Sequence, residues 1–228
     1  MIRIRLIAVC LLLLGCTCQR TDPRNPYDLD LVMNIRDYER MVEQDPRMQM
    51  IDLEEAIGNL FLDIRYATAN NFTGEVIYTA PKAFARKPVA EALVKVQDSL
   101  SHHQLGLLIF DAYRPYAASL KFFEVYPDTN FVANPRKGSR HNRGCAIDCS
   151  LAGLTTGQEI PMPTGFDDFT EKAHPDYANL PDTVLANRSL LFGIMAHFGF
   201  THYPTEWWHF DYAGWEGYPL MDLAFEDL

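Results

Sequence analysis

The chain reads as α+β: a single domain with a central, largely antiparallel sheet flanked by helices. Helical stripes and strand-like runs mix without a repeating βαβ rhythm, which argues against a parallel, doubly wound sheet. After residue 50 the composition keeps one regime, with no internal repeat and no low-complexity tract. With 228 residues, 48% of them hydrophobic and 22% charged, the chain has the apolar mass for one sizeable core.

Residues 29–45 predict a peripheral helix, with Leu31, Ile35, Tyr38 and Met41 at helical spacing and "DPR" closing it. "MIDLEEAI" and "LFLDIRYAT" predict strand, turn, strand, and in the second Phe61, Asp63 and Arg65 alternate with Leu62, Ile64 and Tyr66. "NNFTGEVIYTAP" offers turn chemistry around Gly74, then a short strand. "KPVAEALVKVQDSLSHHQLG" is the clearest helix: Pro88 suits its first turn, Val89, Leu93, Val96 and Leu100 form a stripe, and Gly106 can stop it. "LLIFDAY" predicts a buried strand, and "RPYAASLKFFEVYP" a second helix opened by Pro115. Residues 145–151 predict another strand. "DTVLANRSLLFGIMAHFG" predicts a third helix, with Leu191, Ile194 and Phe198 on one face, Asp182 as N-cap and Gly199 past its end. "FTHYPTEWWHFDY" closes the core as a turn and a strand.

The N-terminus is a different object. "MIRIRLIAVCLLLLGCTCQR" sets two arginines before a short apolar stretch, Leu6 to Leu14, the pattern of a secretory signal and too short to span a bilayer permanently. Its end, "LLGC", resembles the bacterial lipoprotein signal, so residues 1–15 read as the signal, with cleavage before a lipid-modified Cys16. Residues 16–50 then form a tether and N-terminal extension, and the protein is expected to be exported, periplasmic or at the cell surface, and held to the membrane by that anchor alone. The formal charge is −10, and loss of Arg3 and Arg5 with the signal makes it −12. This acidic balance, without a basic cluster, argues against nucleic acid as a partner. Cys18, Cys145 and Cys149 remain, an odd number without a disulfide framework. On an extended strand Cys145 and Cys149 lie about 13 Å apart, too far for a disulfide, so both read as small buried hydrophobes.

Two clusters can carry chemistry. In "SRHNRGCAIDCSL", His141 precedes a turn and Asp148 falls inside an apolar run. A buried carboxylate without a partner is expensive, so Asp148 is either paired or holding a cation. Positions seven apart face opposite ways on one strand, and the two side chains converge only if "NRG" bends the chain, with Gly144 free to take φ > 0. In "TEWWHF", Glu206 and His209 converge only if Pro204 and Thr205 lead through an irregular turn. Two imidazoles and one carboxylate with a fourth position open form the donor set of a catalytic zinc, and Glu206 is then the spare carboxylate that moves the proton. The alternative, Asp148 paired with Arg143 or Arg140 and His209 a satisfied core histidine, stays open on spacing alone. Arg114 in "FDAYRPYAASL" ends a buried strand, where it can aim at an oxyanion or pair on the surface with Asp111 or Glu124.

Together with "DIRYATANNFTG", "DAYRP" and "FDDF", these two motifs resemble the zinc D-alanyl-D-alanine dipeptidases, within the wider group of zinc D,D-peptidases and hedgehog-like folds. The resemblance runs from about Ile51 to the C-terminus, making 51–228 the catalytic domain. It implies one zinc per chain on His141, Asp148 and His209, Glu206 as catalytic base and Arg114 as the transition-state arginine. It also implies a substrate pocket shaped by Tyr66, Ser139 and Asp167, with Asp167 partnering the substrate's ammonium. Cys145 and Cys149 depart from the family pattern and flank the metal carboxylate. The implied reaction is hydrolysis of D-alanyl-D-alanine or a similar D-amino-acid dipeptide. The alternative is a peptidoglycan D,D-carboxypeptidase or endopeptidase acting on longer stems. From another class comes a surface lipoprotein that keeps the fold only to bind wall fragments.

Overall fold

The computed structural model describes residues 22–228. The expected signal, Cys16 and the first part of the tether lie outside the described residues.

The chain runs β1 (Leu31–Val32), α1 (Ile35–Gln44), β2 (Met50–Asp52), α2 (Leu53–Ala56), β3 (Phe61–Leu62), β4 (Phe84–Arg86) and α3 (Lys87–Ser101). It continues through β5 (Leu105–Asp111), α4 (Tyr116–Val125), β6 (Ala146–Gly153), α5 (Asp182–His197), β7 (Phe200–Tyr203), β8 (Glu206–Tyr212) and β9 (Leu220–Met221). The main sheet has five strands in the order β3-β5-β6-β8-β7. Only β3, at one edge, runs parallel to its neighbour; the other pairings are antiparallel. This is the α+β architecture the sequence predicts. Helix α3 packs on β5, and α5 packs on β6 and β7. The stripe of Val89, Leu93, Val96 and Leu100 is fully buried, as are Leu107, Ile109 and Phe110 of β5.

Several local expectations are corrected. The first helix begins only at Ile35, because the Asn34 side chain caps it by accepting the Asp37 amide, 3.0 Å away. Residues 31 and 32 pair instead as a parallel strand with β9. "LFLDIRYAT" alternates, yet only Phe61 and Leu62 are strand: after the Asp63 amide bonds the Ile109 carbonyl, the chain tightens into a 3-10 turn at Arg65–Ala67. Asp63 and Arg65 are held together locally at 2.7 Å, so their alternation reflects a turn, and β2 pairs with β4 rather than with β3. No strand forms in 70–81; the amides of Ile77 and Tyr78 both bond the Tyr66 carbonyl. Gly106 does not stop α3. It lies inside β5, where a Cβ would meet the Asn59 carbonyl oxygen and the Phe61 ring at 3.0 Å. Asp182 is the first residue of α5, with Pro181 at the cap. Cys145 and Cys149 are free and buried.

Candidate metal centre

Strand register assembles the site. Asp111 of β5 lies opposite Asp148 of β6, and Asp148 opposite His209 of β8, so one row crosses three strands. Ile147 and Cys149 point to the other face by the alternation of a strand, which is why a carboxylate can stand between two core residues. His141 reaches the same point from a 3-10 turn, His141–Arg143, ended by Gly144 at φ +69°. That left-handed glycine is the expected bend.

His141 Nε2 lies 3.2 Å from His209 Nδ1 and 3.4 Å from Asp148 Oδ1, and His209 Nδ1 lies 3.0 Å from Asp148 Oδ1. The far side of each ring is already engaged. His141 Nδ1 donates to the Ala112 carbonyl at 2.7 Å, and His209 Nε2 donates to Asp211 Oδ1 at 3.0 Å. In the neutral rings this leaves two lone pairs aimed at a carboxylate oxygen. Asp148 Oδ1 is buried and receives no well-directed hydrogen bond. Three acceptors so placed want a cation. Bonds of about 2.0–2.2 Å to a tetrahedral zinc would set its ligand atoms roughly 3.3–3.6 Å apart, close to these separations. His141, Asp148 and His209 are the only such metal-binding group among the described residues. Burial works against a charged His209, but the neighbouring carboxylates of Asp148 and Asp211 outweigh it and hold the imidazole pKa well above the usual value.

The other expected residues gather around this point. Glu206 opens β8 after the Pro204–Thr205 turn, with Oε2 3.6 Å from His209 Nδ1. Burial pushes its carboxyl up to about 7. Arg114 is not on the surface: Nε and Nη2 donate to Asp111 Oδ2 at 2.9 and 2.6 Å, and Nη2 comes within 3.8 Å of Asp148 Oδ2. Burial would lower the Arg114 pKa, but Asp111 more than compensates and raises it. Its Nη1 makes no hydrogen bond to the described residues, and the side chain lines a cavity of about 530 Å³ beside the metal ligands. Ser139 accepts the His141 amide through Oγ at 3.1 Å, so it fixes the ligand turn as well as lining the cavity. Tyr66 donates to Asp167 Oδ1 at 3.0 Å. Asp167 itself has φ +61°, and its Oδ2 is sealed from solvent without a partner. Burial, with the negative charge of Asp148, raises the Asp167 pKa well above the usual carboxylate range. Trp208 walls the cavity, whereas Trp207 lies behind it and donates to Thr164. His102, His103, His174, His197 and His202 stand outside the lining.

Two supporting residues, Asn142 and Asp211, escape sequence reasoning, while a third, Asp111, is a partner the sequence offers Arg114, here buried rather than on the surface. Asp111 holds Arg114 and accepts the Tyr78 hydroxyl at 2.8 Å. Asn142 bonds the Arg114 carbonyl and Ser119 Oγ, both at 2.9 Å, and accepts the Ser139 amide. Asp211 links His209 to Arg140, 3.3 Å away. The expectation for Asp211 was available in one signal: it follows His209 by two residues and so shares its strand face.

A centre that can hold a cation on two histidines and an aspartate, with an unbound carboxylate in reach, is the equipment of a metallopeptidase. The chain belongs to the D-ala-D-ala dipeptidase family, which matches residues 47–225. It is 35% identical over 173 residues to a D-alanyl-D-alanine dipeptidase of Escherichia coli, covering 76% of this chain and 89% of that one. Dipeptidases of Enterococcus faecium and Streptomyces coelicolor are 32% and 33% identical, each covering 69% of this chain and 88% of its own length. Among solved structures, a vancomycin-resistance D,D-pentapeptidase in complex with Zn(II) is similar with a TM-score of 0.41 and 16% identity, over 61% of this chain and 78% of that one. The expected family and the zinc metallopeptidase class are both met.

Proposed function

We propose that this protein hydrolyses the peptide bond of D-alanyl-D-alanine or a similar D-amino-acid dipeptide. The observation that carries the reading is the convergence of His141 Nε2, His209 Nδ1 and Asp148 Oδ1, with Glu206 and Arg114 on either side. When bound by these three ligands, zinc supplies an acidified water and polarises the scissile carbonyl. Glu206 takes the proton of the attacking water on its carboxylate and returns it to the leaving amine. A pKa pushed to about 7 by burial suits a group that both accepts and gives one proton near neutrality. Arg114 Nη1 meets the developing oxyanion, and Asp111 holds the guanidinium so that it need not reorganise. Asp167 Oδ2 receives the substrate ammonium. A sealed acceptor without a donor favours a free amino terminus close to the scissile bond, hence a dipeptide over a long stem. Trp208 and the surrounding rings keep bulk water from the reacting atoms.

The test is purified protein, with and without chelator, against D,D-, L,D- and L,L-dipeptides and a pentapeptide stem. Chelator-sensitive cleavage of D,D-dipeptides is expected, and Glu206→Ala should lower kcat by about 10²–10⁴-fold while keeping one zinc per chain. Full activity in that variant, or cleavage of the stem alone, overturns the reading.

The proposed setting is export with a lipid anchor on Cys16. Support comes from the sequence: Arg3 and Arg5, the apolar Leu6–Leu14 and the "LLGC" junction. Cys16→Ala should abolish incorporation of labelled palmitate and move the protein from the membrane fraction. Unchanged labelling would end that proposal.

A further inference from the structure

We infer that the pocket is built for a dipeptide whose N-terminal residue carries a bulky apolar side chain, and that Phe72, Phe131 and Phe169 set this preference. The inference rests on the dipeptidase reading and deepens it.

The amino group and the side chain of a substrate's first residue share one Cα, so the ring of residues around Asp167 is also the wall that side chain meets. Asp167, in the left-handed region, sits between two aromatics with different fates. Phe166 turns to the sheet, stacking on Phe110 with centroids 4.7 Å apart and meeting Trp208 at 5.6 Å. Phe169 turns to the cavity, where it meets Phe131 at 5.0 Å and Phe72 at 5.4 Å. These three phenylalanines come from separate loops, and all are half-buried, with apolar ring surface left facing the cavity.

Volume and polarity point the same way. A cavity of about 530 Å³ lies in the range that takes drug-sized ligands, and two methyl side chains leave most of it to water. The phenylalanine cluster adjoins the ammonium partner, since Phe72 meets Tyr66 at 6.2 Å and Tyr66 bonds Asp167. Arg140 lines the same cavity beside Asp211, and its charge suits a carboxylate. The aromatics there, Trp215 and Tyr203, are already covered by the Arg140 guanidinium at 4.8 and 5.6 Å. Among the described residues no guanidinium lies over Phe72, Phe131 or Phe169, so the first substrate residue meets rings free of a cation.

The experiment compares zinc-loaded protein on D-Ala-D-Ala, D-Leu-D-Ala, D-Phe-D-Ala and D-Ala-D-Phe, and measures the same ligands by calorimetry on the zinc-loaded Glu206→Gln variant. D-Phe-D-Ala should exceed D-Ala-D-Ala about tenfold or more in kcat/KM, mainly through KM, with a matching gain in affinity for the variant. Phe169→Ala and Phe131→Leu should each reduce that ratio several-fold. Equal or better use of D-Ala-D-Ala, a preference for D-Ala-D-Phe, or a ratio unmoved by both substitutions overturns the assignment. If no dipeptide is cleaved but the calorimetric preference persists, the dipeptidase reading falls and the pocket assignment stands. Without a calorimetric preference the assignment falls, whatever is cleaved.

Discussion

At the scale of single residues, the centre is governed by who holds the proton that a metal must replace. His209 lies between Asp148 and Asp211, at 3.0 Å from an oxygen of each. Despite burial, these two carboxylates raise its pKa above that of an ordinary imidazole, so protons compete with the metal for this ring. Asp148 is opposed by burial, yet the two histidines lower its pKa, so it is already ionised. Zinc must therefore expel one proton from His209 and none from Asp148. Its affinity should fall about tenfold for each pH unit lost below neutrality, with one proton released per zinc bound. Competition with a chromophoric chelator across the neutral range, together with proton release in weakly buffered solution, measures both. A flat affinity would show that His209 is not a ligand. Raised affinity in acid would exclude the centre altogether.

At the scale of elements, the turn that presents His141 is braced from several sides. Gly144 ends it at φ +69°, where a Cβ would lie 2.7 Å from the Met50 Cε. Arg86, fully buried, donates Nε to the Arg143 carbonyl at 2.8 Å and also reaches the carbonyls of Met48 and Pro219, so one guanidinium ties this turn to the segments that lead into β2 and β9. For Gly144→Ala, the flexible end of Met50 can yield, and the cost left is left-handed strain of about 1–2 kcal/mol. The more telling effect is on the ligand: a shifted turn should weaken zinc binding about 10-fold or more, read by chelator competition beside thermal unfolding. Loss of stability with unchanged zinc affinity would show that the turn does not position His141. This bend was legible in the sequence because convergence of His141 and Asp148 demands a break, and "NRG" supplies the one residue free to take φ > 0. Glu206 and His209 were legible for the same reason, through Pro204 and Thr205. Asp111 is legible only as a surface partner of Arg114, and Asn142 not at all, since an asparagine in a turn looks ordinary until the fold puts it beside Arg114. The short strands failed differently: alternation over 61–66 comes from a local Asp63–Arg65 pair and a buried Tyr66, not from pairing in the sheet.

At the scale of the whole molecule, the metal ligands come from one core that also joins the first and last strands of the described residues. Residues 22–50 join it: Leu31–Val32 pair with Leu220–Met221, and Tyr38 Oη accepts the Met50 amide at 2.8 Å. The aromatic preceding the site closes the same loop, as Tyr113 donates to the Leu223 carbonyl at 3.0 Å and accepts that residue's amide at 2.9 Å. A cation that pulls β6, β8 and the His141 turn onto one point therefore stabilises most of the fold rather than a local lobe. Zinc at one hundred times its Kd should add about 2.7 kcal/mol to stability. For a domain of this size that corresponds to a rise in Tm of about 5–10 °C. Scanning calorimetry with and without chelator checks the size of the effect, and two variants check its origin. His209→Ala removes a ligand and should abolish the zinc-dependent rise, whereas Glu206→Gln leaves all three ligands in place and should retain it. If His209→Ala keeps the rise, the ion sits elsewhere. If Glu206→Gln loses it, Glu206 belongs to the coordination sphere and the general base must be sought in another group.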